Sequence, residues 1–146
     1  MTHPDPMWKT TPLDEMTHGQ WESLCDGCAK CCLHKIEDEE TGEIHFTNLA
    51  CRLLDLDSCR CTRYADRSRL VPECLTLTPA TLTDPYWLPA TCAYRLLAQG
   101  QDLPWWHPLV SGRAETVETS GNSVRGRVVS ETQGEALEHH LVDWIE

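Results

Sequence analysis

The chain has 146 residues, nine of them cysteine, and 23 acidic against 12 basic residues give it a formal net charge of −11. That length fits one compact domain, and the negative balance repels phosphate backbones and anionic lipid, which argues against nucleic-acid and membrane roles. No stretch approaches the ~18 consecutive apolar residues of a membrane span, and the polar, proline-interrupted start from Met1 to Pro12 lacks the apolar centre of an export signal.

Residues 1–12, broken by Pro4, Pro6 and Pro12, read as a flexible leader, and residues 13–146 as a single domain. Leu13, Met16, Gln20, Trp21 and Leu24 give an incomplete helical stripe, so one helix is expected over Leu13–Leu24. A β-hairpin follows, with arms at Leu33–Glu37 and Glu43–Thr47 and turn chemistry at Thr41-Gly42; the acidic run from Glu37 to Glu40 is its solvated tip. From Cys51 to Cys74 the pattern is irregular, a loop with a short helix near Thr62–Arg67. Thr78-Pro79 opens another short helix over Ala80–Leu82, and Pro89 precedes a helix over Ala90–Gln99 that ends before Gly100. After the aromatic turn from Leu103 to Pro108, Val124–Val129 reads as a strand and Gly134–Ile145 as a terminal amphipathic helix. The expected fold is therefore α+β: small and loop-rich, short helices plus a hairpin organised around a cysteine metal cluster.

The cysteines carry the chemistry. Cys25, Cys28, Cys31 and Cys32 form a C-x2-C-x2-C-C run; Cys51, Cys59, Cys61, Cys74 and Cys92 follow at wider intervals. An odd count and the expected cytoplasmic setting, which is reducing, argue against disulfides. Thiolates repel one another and gather only around a cation or cluster, so all nine are candidate metal ligands. If the run is helical, its sulfurs share one face; if Gly27 breaks the helix, Cys25 and Cys28 form a knuckle of the kind found in zinc sites. Nine thiols suffice for two four-coordinate sites and one spare, or for three ions sharing thiolates.

Zinc is the favoured metal, with iron or an iron–sulfur cluster as the alternative. The run begins like a bacterial ferredoxin motif but lacks the fourth Cys-Pro, since Leu33 follows Cys32, and Lys35 stands where a radical S-adenosylmethionine motif needs its third cysteine. Arg60, Arg63, Arg67 and Arg69 lie among the cysteines, where they offset thiolate charge. His34 and His45 flank the cluster as supplementary ligands or ordinary surface histidines. Asp26 reads as a turn acceptor, His107 as a packed structural residue, and His139 and His140 as exposed helix residues. Trp21, Trp87, Trp105 and Trp106 supply core bulk or a face for a protein partner.

The run Cys25-Asp-Gly-Cys-Ala-Lys-Cys-Cys32 resembles the signature of the C-x-x-C-x-x-C-C cysteine-cluster proteins, a family described as zinc- or iron-chelating. Trp21-Glu-Ser-Leu-Cys25, Phe46-Thr-Asn48, Cys59-Arg-Cys61, Leu88-Pro89, Thr91-Cys-Ala-Tyr-Arg-Leu-Leu97 and Trp106-His-Pro-Leu109 are similar to its YcgN branch, over residues 7 to 130 or so. The resemblance implies metal chelation and leaves the biochemical role open. No catalytic set can be assigned from spacing, so the leading expectation is a cytosolic metal-binding module whose metal is mainly structural. The alternative is an iron–sulfur redox protein or oxidoreductase component, and a weaker third reading is metal trafficking.

Overall fold

A computed structural model describes residues 6–71, 74, 77–134 and 136–145. Helix α1 (Met7–Thr10) forms despite the flanking prolines and packs Met7 and Trp8 on an apolar cluster. The Trp8 indole N–H donates to the Asp102 carboxylate at 3.0 Å, and Lys9 pairs with the same carboxylate at 3.1 Å.

The single helix expected over Leu13–Leu24 is two pieces. Leu13–Glu15 makes one 3-10 turn, and α2 (His18–Ser23) starts afresh after Thr17. The Thr17 hydroxyl accepts the Gln20 N–H while the Gln20 side chain accepts the Thr17 N–H, a reciprocal cap that fixes the helix start there.

The hairpin forms, its first arm where expected and its second, expected over Glu43–Thr47, running on to Ala50. Strands β1 (Leu33–Glu37) and β2 (Ile44–Ala50) pair antiparallel, Leu33 opposite Ala50 and Glu37 opposite Ile44. At the tip the Asp38 carboxylate accepts the N–H groups of Glu40 and Thr41 at 2.8 and 3.0 Å, which gives the acidic run a structural member. Next come β3 (Leu54–Asp55) and β4 (Arg60–Cys61), a ladder too short to show alternation in the sequence. A 3-10 turn at Tyr64–Asp66 and α3 (Arg67–Leu70) fall close to the expected short helix, and Thr78 caps the turn Pro79–Leu82. Helix α4 (Ala93–Ala98) starts later than expected, with Cys92 as its N-cap residue, and Gly100 terminates it at φ +76°. Helices α5 (Pro108–Ser111) and α6 (Thr116–Thr119) complete the helical half.

Two expectations near the C-terminus are corrected. The strand over Val124–Val129 reduces to β5 (Val129–Ser130), which lies parallel to β2. The amphipathic helix over Gly134–Ile145 is a 3-10 turn at Leu137–His140, followed by chain that pairs with β2; Glu135 lies outside the described residues. Leu141 bridges to Thr47, and the Val142 N–H donates to the Phe46 carbonyl at 3.0 Å. Hydrogen bonds offered by the β2 edge outcompete those of an isolated short helix.

The elements enclose two apolar clusters. One gathers Leu33, Phe46, Ala50, Leu54, Val124 and Ile145 on the sheet; the other gathers Leu24, Leu82, Leu88 and Tyr94 around α2 and α4. The cysteine run lies between them, with Leu24 in one cluster and Ala29 and Leu33 in the other. The fold is thus the small, loop-rich α+β arrangement read from the sequence. Among the described residues no helix is long and apolar enough to cross a membrane.

Candidate metal centre

The chain leaves α2 at Leu24 and immediately enters the cysteine run. Gly27 at φ +76° and Ala29 at φ +63° break any helix through it, so the broken conformation of the two envisaged is the one adopted. The Asp26 carboxylate accepts the Cys28 N–H at 3.0 Å, the turn role expected of it. Lys30–Cys32 then forms a 3-10 turn that delivers Cys32 to the start of β1.

Distant cysteines are brought to this run by pairing. The register that sets Leu33 against Ala50 places Cys51 beside Cys32, and the Cys51 N–H donates to the Cys32 carbonyl at 2.8 Å. The β3–β4 ladder folds the chain back so that Cys61 faces Leu54, just beyond Cys51. Cys92, capping α4, lies within electrostatic reach of Cys25 and Cys31, and Cys74 within reach of Cys31, Cys51 and Cys61. Cys31 is the member common to both sets.

Crowding makes these thiols hold their protons. Desolvation, then the charge of Cys31, pushes the Cys25 thiol from 9.0 up to about 12. Desolvation, then Asp26, pushes Cys28 well up, and a hydrogen bond with Cys32, then desolvation, does the same for Cys31. Desolvation takes Cys92 to about 11 and raises Cys74, where Arg67 pulls the other way. Cys25 and Cys31 still expose part of their surface.

All nine cysteines are free thiols. Among the described residues no three Cys, His, Asp or Glu side chains converge on a single ion position. What fits a soft divalent ion is the chemistry of the donor set, several thiols that repel one another as thiolates and need positive charge among them. Cys59 stands apart in the sheet-side cluster, at φ +58°, with its sulfur 3.8 Å from the Ser123 hydroxyl.

The other candidates have their own partners. His34 Nε2 lies 3.0 Å from the Glu131 carboxylate, His45 Nε2 3.6 Å from Glu43, and His140 Nδ1 2.9 Å from the Asn48 side-chain oxygen. Arg67 stacks on the Tyr64 ring at 3.8 Å, while Arg63 and Arg69 each pair with Asp66 at 3.4 Å. Trp21 packs on Tyr94 at 4.9 Å, and Trp105 is 63% exposed, edge-on to Trp106. Sequence reasoning passed over Lys30, whose burial nothing in the motif announces.

A family model described as "Putative zinc- or iron-chelating domain" matches residues 24–93. The UPF0260 protein of Rhizorhabdus wittichii is 62% identical over 143 residues, covering 98% of each chain. That of Gluconacetobacter diazotrophicus is 60% identical over 144 residues, 99% of this chain and 90% of the relative. That of Parvibaculum lavamentivorans is 57% identical over 142 residues, 96% of this chain and 93% of the relative. No solved structure matches. The chain belongs to the UPF0260 family, and its residues 24–93 are similar to that zinc- or iron-chelating domain.

Proposed function

We propose that this UPF0260 protein is a zinc-stapled cytosolic module, in which thiolates of the run and of Cys92 hold a metal that locks the two apolar clusters together. The observation that carries the reading is the crowding of Cys25, Cys28, Cys31 and Cys92, drawn from segments some sixty residues apart, into one electrostatic neighbourhood. Cys32, Cys51, Cys61 and Cys74 form the adjoining set, with Cys31 between. Zinc is preferred over iron because closed tetrahedral thiolate sites staple small domains of modest core. A metal that joins segments so far apart closes a long loop and stabilises the folded state by its binding free energy.

Elemental analysis with an absorbance spectrum, on protein purified anaerobically without added metal, tests this. One or two zinc per chain, no visible colour and a melting temperature that drops on chelation are expected. Iron with matching sulfide and a brown colour would replace the reading with an iron–sulfur protein. Protein that carries no metal, takes none up and melts unchanged with chelator would end it.

A further inference from the structure

The balance of charge reverses around α3. The chain as a whole carries −11, yet between Ser58 and Val71 four arginines stand against one acid, Asp66. Arg60 sits on β4 opposite Asp55. The other three gather on α3 and around the turn Tyr64–Asp66 that precedes it. Arg63 and Arg69 both approach the Asp66 carboxylate at 3.4 Å, so one carboxylate is shared between two guanidiniums. Among the described residues Arg67 makes no ion pair. It lies 3.8 Å over the Tyr64 ring and donates to the Tyr64 carbonyl at 2.6 Å.

These guanidiniums are exposed. The side chains of Arg63 and Arg69 are 55% and 69% accessible. Their contacts with Asp66 are longer than the ~2.7–2.9 Å of a closed charge-assisted bond, so much of their donor capacity is unused. Tyr64 is half-exposed, and its hydroxyl donates to Glu22 at 2.8 Å, which together with the Arg67 stack fixes the ring. On the other flank the Arg52 guanidinium donates to the Leu70 carbonyl at 2.6 Å. The carboxylate nearest it, Glu131, already accepts the Arg52 backbone N–H and faces His34. Like charges held together repel one another, and an incoming carboxylate relieves that repulsion while it meets the donors. Arginine and tyrosine are also residue types that protein interfaces favour, because a planar, stacked guanidinium gives up little freedom on binding. A nucleic acid would bring phosphates along its whole length against a chain of −11, whereas the carboxylates of a protein segment can be confined to the patch.

We propose that Arg63, Arg67 and Arg69, with Tyr64 among them and Arg52 at the edge, form a docking surface for a carboxylate-rich segment of a partner protein. The segment that carries the surface is bounded at both ends by cysteines, Cys61 and Cys74. The inference goes beyond the metal-centre reading and stands without it, since the contacts that build the patch involve no cysteine side chain.

The purified full chain, titrated against a fluorescent oligoglutamate at low ionic strength and read by anisotropy, tests this. Wild-type protein is expected to bind, and binding is expected to fade as salt rises toward about 0.15 M, where the screening length is about 8 Å. Arg63→Gln combined with Arg69→Gln is expected to weaken binding by about tenfold, the scale of two exposed ion pairs. Arg69→Glu changes the charge by the same amount at the more exposed position, is expected to do the same, and serves should the double variant melt below wild type. Arg113→Gln combined with Arg125→Gln removes equal charge outside the patch and is expected to leave binding unchanged. The proposal is overturned if the patch variants bind as tightly as wild type. It is also overturned if the Arg113 and Arg125 pair weakens binding equally, since net charge alone would then be at work. Duplex DNA of equal charge that displaces the peptide at lower concentration would make the surface one for phosphate. Salt-sensitive self-association abolished by Arg69→Glu would make the occupant a second copy, and either result overturns the proposal as well.

Discussion

His107 Nε2 donates to the carbonyl of Leu24 at 2.7 Å, while its Nδ1 accepts the Leu109 N–H at 3.0 Å. Both ring nitrogens are used, which fixes the tautomer, and the ring is 1% exposed. Leu24 is the residue before Cys25, so an aromatic turn more than eighty residues away sets where the cysteine run begins. His107→Ala is expected to cost about 3 kcal/mol, combining a cavity with an orphaned buried carbonyl. Urea unfolding measures it. An unchanged midpoint would mean that Leu24 finds another partner, and the ring would then be only filler.

Cys28 and Cys59 are both buried cysteines, yet they are expected to differ sharply on replacement. Cys28 sits among the other thiols of the run, whereas Cys59 packs in the sheet-side cluster beside Ser123. Cys28→Ser is expected to lower bound zinc and to destabilise the loaded protein by about 3 kcal/mol or more, the scale of losing a structural metal ligand. Cys59→Ala is expected to leave zinc stoichiometry unchanged and to cost about 1 kcal/mol of packing. Zinc loss in Cys59→Ala would enlarge the ligand set.

Zinc affinity is expected to climb with pH through the neutral range. Thiols pushed up to about 11 for Cys92 and about 12 for Cys25 are protonated there, so each one that binds zinc must release its proton. Affinity should rise by about tenfold per pH unit for each proton displaced. Without metal the sign reverses. A thiol whose folded value exceeds its unfolded 9.0 stabilises the fold below pH 9 and ceases to do so as pH rises through the folded value. Chelator competition between pH 6 and 8 tests the first effect; a pH-independent affinity would mean that thiols are not the ligands.

The sequence disclosed the hairpin because its arms and turn carry local signals: Leu33–Glu37 and the Thr41-Gly42 turn fall where the pattern puts them. It displayed the candidate donors, since the C-x2-C-x2-C-C run needs no structure to be seen. It misread the C-terminus, where Leu141 and Val142 show helical spacing but are claimed by the open edge of β2, a partner ninety-odd residues upstream that local periodicity cannot register. Lys30 was hidden for the same reason. Its partners Thr91 and Asn122 lie 61 and 92 residues away, and only the fold brings them to a lysine that the motif alone would leave in solvent.

Gly134 shows that a contact can fix a residue without any turn requirement. Its backbone is extended, at φ −93°, so nothing local demands glycine. A Cβ there would stand 2.3 Å from Leu49 Cδ2 and 3.1 Å from Cδ1. Leu49 is buried on β2 beside Val129 of β5, so its branches have little free space to turn into. Gly134→Ala is therefore expected to destabilise by about 1–3 kcal/mol, the cost of overpacking a filled core. Shortening the neighbour supplies the check. Leu49→Val alone should also destabilise, by about 1 kcal/mol. Combined with Gly134→Ala it should cost less than the two losses added, because the missing methylene makes room for the new methyl. Additive losses in the double variant would show that the segment after β5 moves aside rather than pressing on Leu49.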